Sequence, residues 1–400
     1  MPEITVIADD LTGAADCGIA FALAGLPTFV AFSARVTPPA GAQVVAVDTD
    51  SRAASATEAA ARVRAAAAAA WSGGARTLYK KIDSTLRGHV GVEVAAALAA
   101  GRESGRRAVV VAAPAFPALG RTTWQGRVLV DGVPLDHTEV WRKSGMTGEA
   151  DLAAQLRGAG LSVAKADLEA VRARKLPRGA DAIVCDADQE DDLRHVAEAG
   201  LRLDAPILWV GSGGLSRHLP AALRLEAAGN ASPRFKPRQG PVVTLVGSRS
   251  SVAREQAREL CALPGTECME IAPDALFSER DVPEARAALE QGRDLVLVIS
   301  AGDEVDLSHS LRLATALGRL AAPLTAHAAG AIATGGDIAR ALLAALGATG
   351  IWLAGEVEPG VPIGITNSEN PLPVITKAGA FGNPSTLKRC RAALGAPGSK

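Results

Sequence analysis

The sequence predicts an α/β fold, with two α/β domains built on mostly parallel sheets. Three observations lead there. Short β-branched runs such as Ile4-Thr5-Val6-Ile7-Ala8 and Val242-Val243-Thr244-Leu245-Val246 are followed by stretches with helical apolar spacing, and this alternation runs through the chain. At 400 residues the chain exceeds what one hydrophobic core usually supports. The segment between Glu226 and Pro241 is rich in Pro, Gly and charge, so the expected division is residues 1–228, a linker at 229–240 and residues 241–400.

The first strand runs into Asp9-Asp10-Leu11-Thr12-Gly13, after which Cys17 to Leu23 has helical spacing. Two acids therefore sit at a strand's carboxyl end, where open α/β sheets place ligands. Asp9 and Asp10 can hold Mg2+, accept from hydroxyls or act as a base, while Thr12 and Gly13 open a helix whose N–H groups face the same spot. A single cap would need only one of these residues.

Leu26 to Phe32 reads as a second strand, and Ala42 to Val47 as a third that leads into Asp48-Thr49-Asp50-Ser51-Arg52. Thr57 to Trp71 is an alanine-rich surface helix. Thr77-Leu78-Tyr79 is a short strand, followed by Lys80-Lys81-Ile82-Asp83-Ser84-Thr85-Leu86-Arg87-Gly88 and a helix over His89 to Gly101. That nonapeptide, read as a strand-to-helix loop, combines ammonium groups, a carboxylate, hydroxyls and a guanidinium, a mixture suited to an anionic, hydroxylated small molecule.

Ala108 to Ala112 is a further strand, and Ala113 to Gly126 reads as a rigid irregular loop with Arg121 and Thr122 as its polar contacts. Asp131-Gly132 marks a hairpin turn. Strands at Ala182 to Ala187 and Ile207 to Val210 flank a helix over Asp191 to Ala199.

The second half restarts at Val242, with Gly247-Ser248-Arg249-Ser250-Ser251 before a helix over about Val252 to Cys261. Leu295 to Ser300 is a strand and Leu311 to Leu320 a helix. The block Ala331 to Thr334 then meets Gly335-Gly336-Asp337-Ile338 before a helix over Ala339 to Leu346. Glycine loops recur at Gly355 to Pro362 and at Thr376 to Asn383. Several such loops in one half point to phosphate binding, because glycine lets a backbone approach closely and helix amino termini offer free N–H groups. There is no G-x-x-x-x-G-K-[ST] sequence, so the cradle is not a P-loop.

Composition narrows the partners. Hydrophobic residues are 48%, charged residues 21%, aromatic residues 3% and the formal net charge is -1, a balance that argues against nucleic acid. No apolar run reaches the length of about 18 residues that a membrane span needs, and there is no leader-like start, so a soluble cytoplasmic protein is expected. Cys17, Cys185, Cys261, Cys268 and Cys390 form no C-x-x-C pair and read as reduced packing residues.

Taken in order, Ile7-Ala8-Asp9-Asp10-Leu11-Thr12-Gly13-Ala14, Thr49-Asp50-Ser51-Arg52, Lys80 to Gly88, the Pro114 to Thr123 loop, Gly247-Ser248-Arg249-Ser250, Gly335 to Ala339 and Lys377-Ala378-Gly379-Ala380-Phe381-Gly382 resemble the four-carbon acid sugar kinases. These include threonate, erythronate and 3-oxo-tetronate kinases. The resemblance implies an amino-terminal domain that binds the sugar acid and a carboxyl-terminal domain that binds ATP, with the active site in the interdomain cleft and Mg2+ accompanying the nucleotide.

By motif it places Ser248, Gly335, Gly336, Asp337, Ile338 and Gly379 at ATP. Arg87 and Lys81 suit the substrate carboxylate, and Asp83, Ser51 and Arg52 its hydroxyls, with Thr12, Ser84, Thr85 and Arg121 completing the substrate contacts. Asp9 or Asp10 would orient or deprotonate the attacking hydroxyl, so that Asp9, Asp10, Lys81 and Asp83 form the catalytic set. Metal ligands and oligomeric state stay open, a homodimer included.

Two rival functions meet specific objections in the residues. Val44 to Asp50 has a strand-then-Asp-x-Asp look, as in aspartyl-phosphate phosphatases, but Arg52 stands where that chemistry wants Thr or Val. A sugar-acid sensor without catalysis would have no use for the doubled acid and the glycine loops.

Overall fold

The computed structural model describes residues 2–146, 148–227, 235–247, 250–278, 282–300 and 307–395. Two compact units emerge, Met1–Ser232 and Pro233–Lys400.

The strands of the first unit are β1 (Ile4–Ala8), β2 (Thr28–Ala31), β3 (Val44–Asp48), β4 (Thr77–Lys81), β5 (Val109–Ala113), β6 (Arg121–Trp124), β7 (Arg127–Val130), β8 (Val133–Pro134), β9 (Val163–Ala166), β10 (Ala182–Cys185) and β11 (Ile207–Gly211). Those other than β6, β7 and β8 form a parallel array in the order β2-β3-β1-β4-β11-β5-β10-β9. Helices cover such a sheet on both faces, which explains the unbroken apolar runs: every residue of β1, β2, β3 and β10 is buried. From β1 the chain first builds outward through β2 and β3, then crosses to β4 on the other side. The crevice at the carboxyl ends of β1 and β4 is thus a switch point, the place where open sheets bind ligands.

Helix Leu11–Leu23 is buried from Leu11 through Phe21. The alanine-rich helix Ala56–Ser72 buries one stripe, Ala59, Val63, Ala66, Ala67 and Trp71, as its surface reading requires. Gly91 opens the approach of helix Val90–Glu103 to helix Leu152–Gly158, since a Cβ there would lie 2.3 Å from the Gln155 carbonyl oxygen.

The second unit contains β12 (Val242–Val246), β13 (Thr266–Ile271), β14 (Asp294–Ile299), β15 (Gly330–Thr334), β16 (Gly350–Glu356), β17 (Pro362–Thr366) and β18 (Pro373–Lys377), in the order β13-β14-β12-β15-β18-β17-β16. β17 runs against both neighbours and the other pairings are parallel. Its switch point lies between β12 and β15. The core beneath includes Val246, Ala257, Leu260, Ile332, Ile375, Leu387 and Leu394.

Several expectations change. Lys80 and Lys81 belong to β4 and not to the loop after it, because the strand continues in register with β11 as far as Lys81 beside Gly211. The Ala113 to Gly126 stretch is not irregular throughout: β6 forms an antiparallel meander with β7 and β8, and the Thr123 N–H donates to the Ala187 carbonyl at 2.8 Å. Gly336, Asp337 and Ile338 are the first residues of helix Gly336–Ala345, with Gly335 as its cap at φ +104°, so the helix starts earlier than Ala339. The reading of five reduced cysteines is corrected as well. Cys261 and Cys268 form a disulfide with a Cα–Cα distance of 5.8 Å, because Cys261 ends helix Ser251–Cys261 and the tight return into β13 brings Cys268 beside it. Cys17, Cys185 and Cys390 are free and buried.

Candidate active site

At the end of β1, Asp9 is 3% exposed, and Arg52 reaches it from the segment that follows β3. The guanidinium grips Asp9 with two bonds, Nε to Oδ2 at 2.6 Å and Nη2 to Oδ1 at 3.0 Å. Its third nitrogen, Nη1, donates to Asp10 Oδ2 at 2.7 Å, and Nη2 lies 3.6 Å from Asp83 Oδ2. One arginine thus gathers all three acids. The backbone makes this possible: the Ser51 and Arg52 N–H groups donate to the Asp9 carbonyl at 3.0 and 3.2 Å, and Asp50 takes φ +51° to turn the chain.

Asp10 also caps helix Leu11–Leu23, accepting from the Gly13 N–H at 2.8 Å and from the Thr12 hydroxyl at 2.7 Å. After β4, Asp83 accepts from the Thr85 N–H at 2.9 Å and from the Thr85 hydroxyl, and Arg87 donates to its other oxygen at 2.6 Å. Gly88, at φ +89°, sits against Asp9, since a Cβ there would lie 3.2 Å from Asp9 Oδ2. Ser84 is buried beside these groups in sequence.

Burial pushes the Asp9 carboxyl up, but the Arg52, Lys80 and Lys81 charges outweigh it and hold Asp9 below the usual carboxylate value. Burial likewise opposes ionisation of Asp83, and Arg87 and Arg52 carry it well below that value. Both are carboxylates at neutral pH. Lys81 is 4% exposed, and a Cβ on Gly13 would lie 3.0 Å from its ammonium, so the cation stands at the amino terminus of helix Leu11–Leu23. Among the described residues it makes no ion pair or hydrogen bond. Arg52 and Arg87 pair with protein carboxylates, whereas Lys81 has no such partner among the described residues.

Arg121, on β6, donates to the Leu119 carbonyl. Burial lowers its pKa, and it feels the charges of Asp83 and Arg87, which puts it in the same field. Ser51 is different. It is fully buried, and its hydroxyl donates to Glu93 Oε1 at 2.5 Å and sits 2.8 Å from the Thr49 hydroxyl. Glu93 in turn pairs with Lys80 at 2.9 Å, with both groups out of solvent. Nothing in the spacing singled out Glu93; the signal was a carboxylate one turn into the helix that follows the motif, at a position its neighbours mark as core.

In the second unit the glycine loops gather at the carboxyl ends of β12, β15 and β18. Gly247 follows β12, and a Cβ there would fall 2.2 Å from Ile338 Cδ1, so Ile338 packs inward against that turn. Asp337 is exposed in the first turn of helix Gly336–Ala345. The Gly335 N–H donates to the Lys377 carbonyl at 2.9 Å, which joins the β15 and β18 loops; Gly379 follows two residues later. Ser248 lies outside the described residues.

A family model described as a sugar-binding N-terminal domain matches residues 4–219, and one described as a nucleotide-binding C-terminal domain matches residues 243–387. A protein of Cupriavidus necator named D-threonate kinase is 42% identical over 411 residues, covering 96% of this chain and 95% of its own. The chain belongs to the four-carbon acid sugar kinase family.

A second member, from Heliobacterium modesticaldum and named D-erythronate kinase, is 28% identical and covers 98% of this chain and 96% of its own. A Salmonella typhimurium protein of known structure shares the fold at a TM-score of 0.78 and 24% identity, covering 98% of this chain and all of its own (100%). The acid-sugar-kinase matches coincide with the two units' sheets, and the acid-rich crevice falls in the part matched as sugar-binding. Among the described residues no helix is long and apolar enough to cross a membrane.

Proposed function

We propose that this chain is an ATP-dependent kinase that phosphorylates the terminal hydroxyl of a four-carbon sugar acid, D-threonate first among them. The observation that carries this reading is the cluster at the β1/β4 switch point, in which Asp9, Asp10 and Asp83 surround Arg52 while the buried ammonium of Lys81 makes no pair among the described residues. D-threonate leads because the 42% identical relative bears that name, whereas the relative named for D-erythronate stands at 28%.

The chemistry follows from the groups. A sugar acid brings a carboxylate and several hydroxyls. Arg87, whose side chain is 37% exposed, and Lys81 suit the carboxylate; Thr12, Ser84, Thr85 and Arg121 are the further candidates for contacts to the substrate. Ionised carboxylates accept more than the bonds they already make, so Asp9, Asp10 and Asp83 can each take a substrate hydroxyl and fix its direction. Phosphoryl transfer has a loose transition state and asks chiefly for positioning and charge neutralisation, so an acid held ionised by Arg52 serves as an orienting acceptor. Ser51 acts from behind through Glu93, and Arg52 by fixing the acids. On the nucleotide side, Ser248, Gly335, Gly336, Asp337, Ile338 and Gly379 are assigned to ATP by motif.

Mg2+ belongs to this reading as the companion of the phosphates. Among the described residues no three His, Cys, Asp or Glu side chains form a metal cage, and Mg2+ is usually held by one or two carboxylates together with substrate phosphates.

The test is ADP release from Mg-ATP with D- and L-threonate, D- and L-erythronate and their 3-oxo forms. Turnover with D-threonate at the highest kcat/KM is expected. ATP binding with no turnover across the panel would overturn the substrate class, and ATP-independent binding of an acid alone would favour a sensor.

A further inference from the structure

Lys377 ends β18 and is fully buried, yet its side chain is not there as packing. Its ammonium donates to the Ala378 carbonyl at 2.9 Å and approaches the Gly379 carbonyl at 3.4 Å, while its own carbonyl accepts the Gly335 N–H at 2.9 Å. The next residues form a turn closed by the Phe381 N–H donating to the Ala378 carbonyl at 3.1 Å. Behind the far end of that loop stands Gln256, also fully buried, from helix Ser251–Cys261. Its side-chain amide donates to the Phe381 and Asn383 carbonyls at 3.0 and 2.9 Å.

Peptide bonds here are all trans, so a carbonyl drawn inward turns the following N–H outward. With the Ala378 and Gly379 carbonyls drawn to the ammonium, the N–H groups of Gly379 and Ala380 face the opposite side. Neither donates to another described residue. Successive outward amides of this kind are an anion-binding concavity.

We propose that Lys377 and Gln256 are positioning residues of the nucleotide subsite. Together they hold the 378–383 loop from behind, so that the Gly379 and Ala380 N–H groups receive a phosphate oxygen of the nucleotide. Lys377 also ties this loop to the Gly335 cap, which keeps both glycine loops in one register. This rests on the kinase reading above. An apolar side chain would fill the same space without the desolvation that an ammonium suffers there, and burial does push Lys377 down to about 8 against the opposing charge of Glu358. Its presence there fits a loop held by charge-assisted bonds.

The experiment uses the full chain and its Lys377→Met and Gln256→Leu variants, with Mg-ADP binding measured by calorimetry and adenosine as the phosphate-free control. Loss of the supporting bonds should weaken Mg-ADP by about 10- to 100-fold in Lys377→Met, and by a smaller factor in Gln256→Leu, with adenosine affinity unchanged within about twofold. Equal Mg-ADP affinity in wild type and both variants would overturn the proposal, as would an equal loss for adenosine, which would signal simple collapse of the site. Should Lys377→Met fail to fold, Gln256→Leu decides by the same comparison. If the wild-type protein itself binds no Mg-ADP, the kinase reading falls and this proposal with it; if only the variants match wild type, the kinase reading stands and this proposal alone falls.

Discussion

Replacing Arg52 by Met keeps the stem and removes the charge that three carboxylates share. Arg52 pairs with Asp9 at 2.6 Å and Asp10 at 2.7 Å and lies 3.6 Å from Asp83. Breaking a fully buried pair costs about 3–5 kcal/mol, because the surviving charge is left without compensation. The Arg52 side chain is 24% exposed, so solvent recovers part of this, and about 2–3 kcal/mol is expected at pH 7.

The loss must depend on pH. In the wild type Asp9 has a lowered pKa, so its contribution is present above the unfolded carboxylate value and disappears as pH falls through the folded one. Without Arg52 the burial term is no longer outweighed to the same degree. Asp9 then titrates higher, and the gap between the two proteins should widen from acid to neutral pH. Urea unfolding followed by tryptophan fluorescence reads mainly the right unit, since four of the five tryptophans, Trp71, Trp124, Trp141 and Trp209, lie in it and Trp352 lies in the other. A gap that is flat between pH 4 and pH 7, or below about 0.5 kcal/mol at pH 7, would refute the account of Arg52 as the charge that holds the acids.

Three other outcomes follow from the same reasoning. Lys80→Met or Glu93→Gln alone should destabilise the first unit by about 3 kcal/mol in urea unfolding, whereas Lys80→Met with Glu93→Leu should recover most of that loss, because the 2.9 Å pair is wholly out of solvent. Gly91→Ala should cost about 2–3 kcal/mol by the same assay, since its Cβ would meet the Gln155 carbonyl oxygen at 2.3 Å and backbone cannot yield cheaply. Burial lowers the Lys377 pKa to about 8 from 10.5, so the unfolded chain binds more protons than the folded one between those values. Wild-type stability should therefore gain on that of Lys377→Met by about 3 kcal/mol as pH rises from 8 to 10.5, and a constant difference across that window would contradict the placement of the ammonium.

The sequence carried the crevice's ingredients but not their pairing. Asp9-Asp10 and Lys81-Ile82-Asp83 stand out because charged residues at the carboxyl ends of apolar strands have no packing reason to be there. That Arg52 grips Asp9 depends on β3 lying beside β1, and strand order is a property of the sheet that local periodicity does not encode. Ser51 looked like a ligand contact for its hydroxyl, and its bond to Glu93 depends on how the helix Val90–Glu103 packs. The strand β6 was hidden by the prolines and glycine before it, although Gln125-Gly126, both at positive φ, forms the turn into β7. β9, at Val163–Ala166, lies at the sheet edge with a mostly half-exposed pattern, too short and too mixed to announce itself. The Cys261–Cys268 bond was passed over because a spacing of seven has no motif, only a helix end and a strand that happen to meet.

At the β1/β4 crevice Asp9, Asp10 and Asp83 stand against Arg52, Arg87 and Lys81, so those six charges offset one another. Those six charges alone project little field beyond their first few ångströms. On the proposed kinase reading, a small acid would be captured there by short contacts that displace one internal partner for another. Encounter should then proceed at a rate nearly indifferent to ionic strength, with discrimination among sugar acids expressed in how long each one stays.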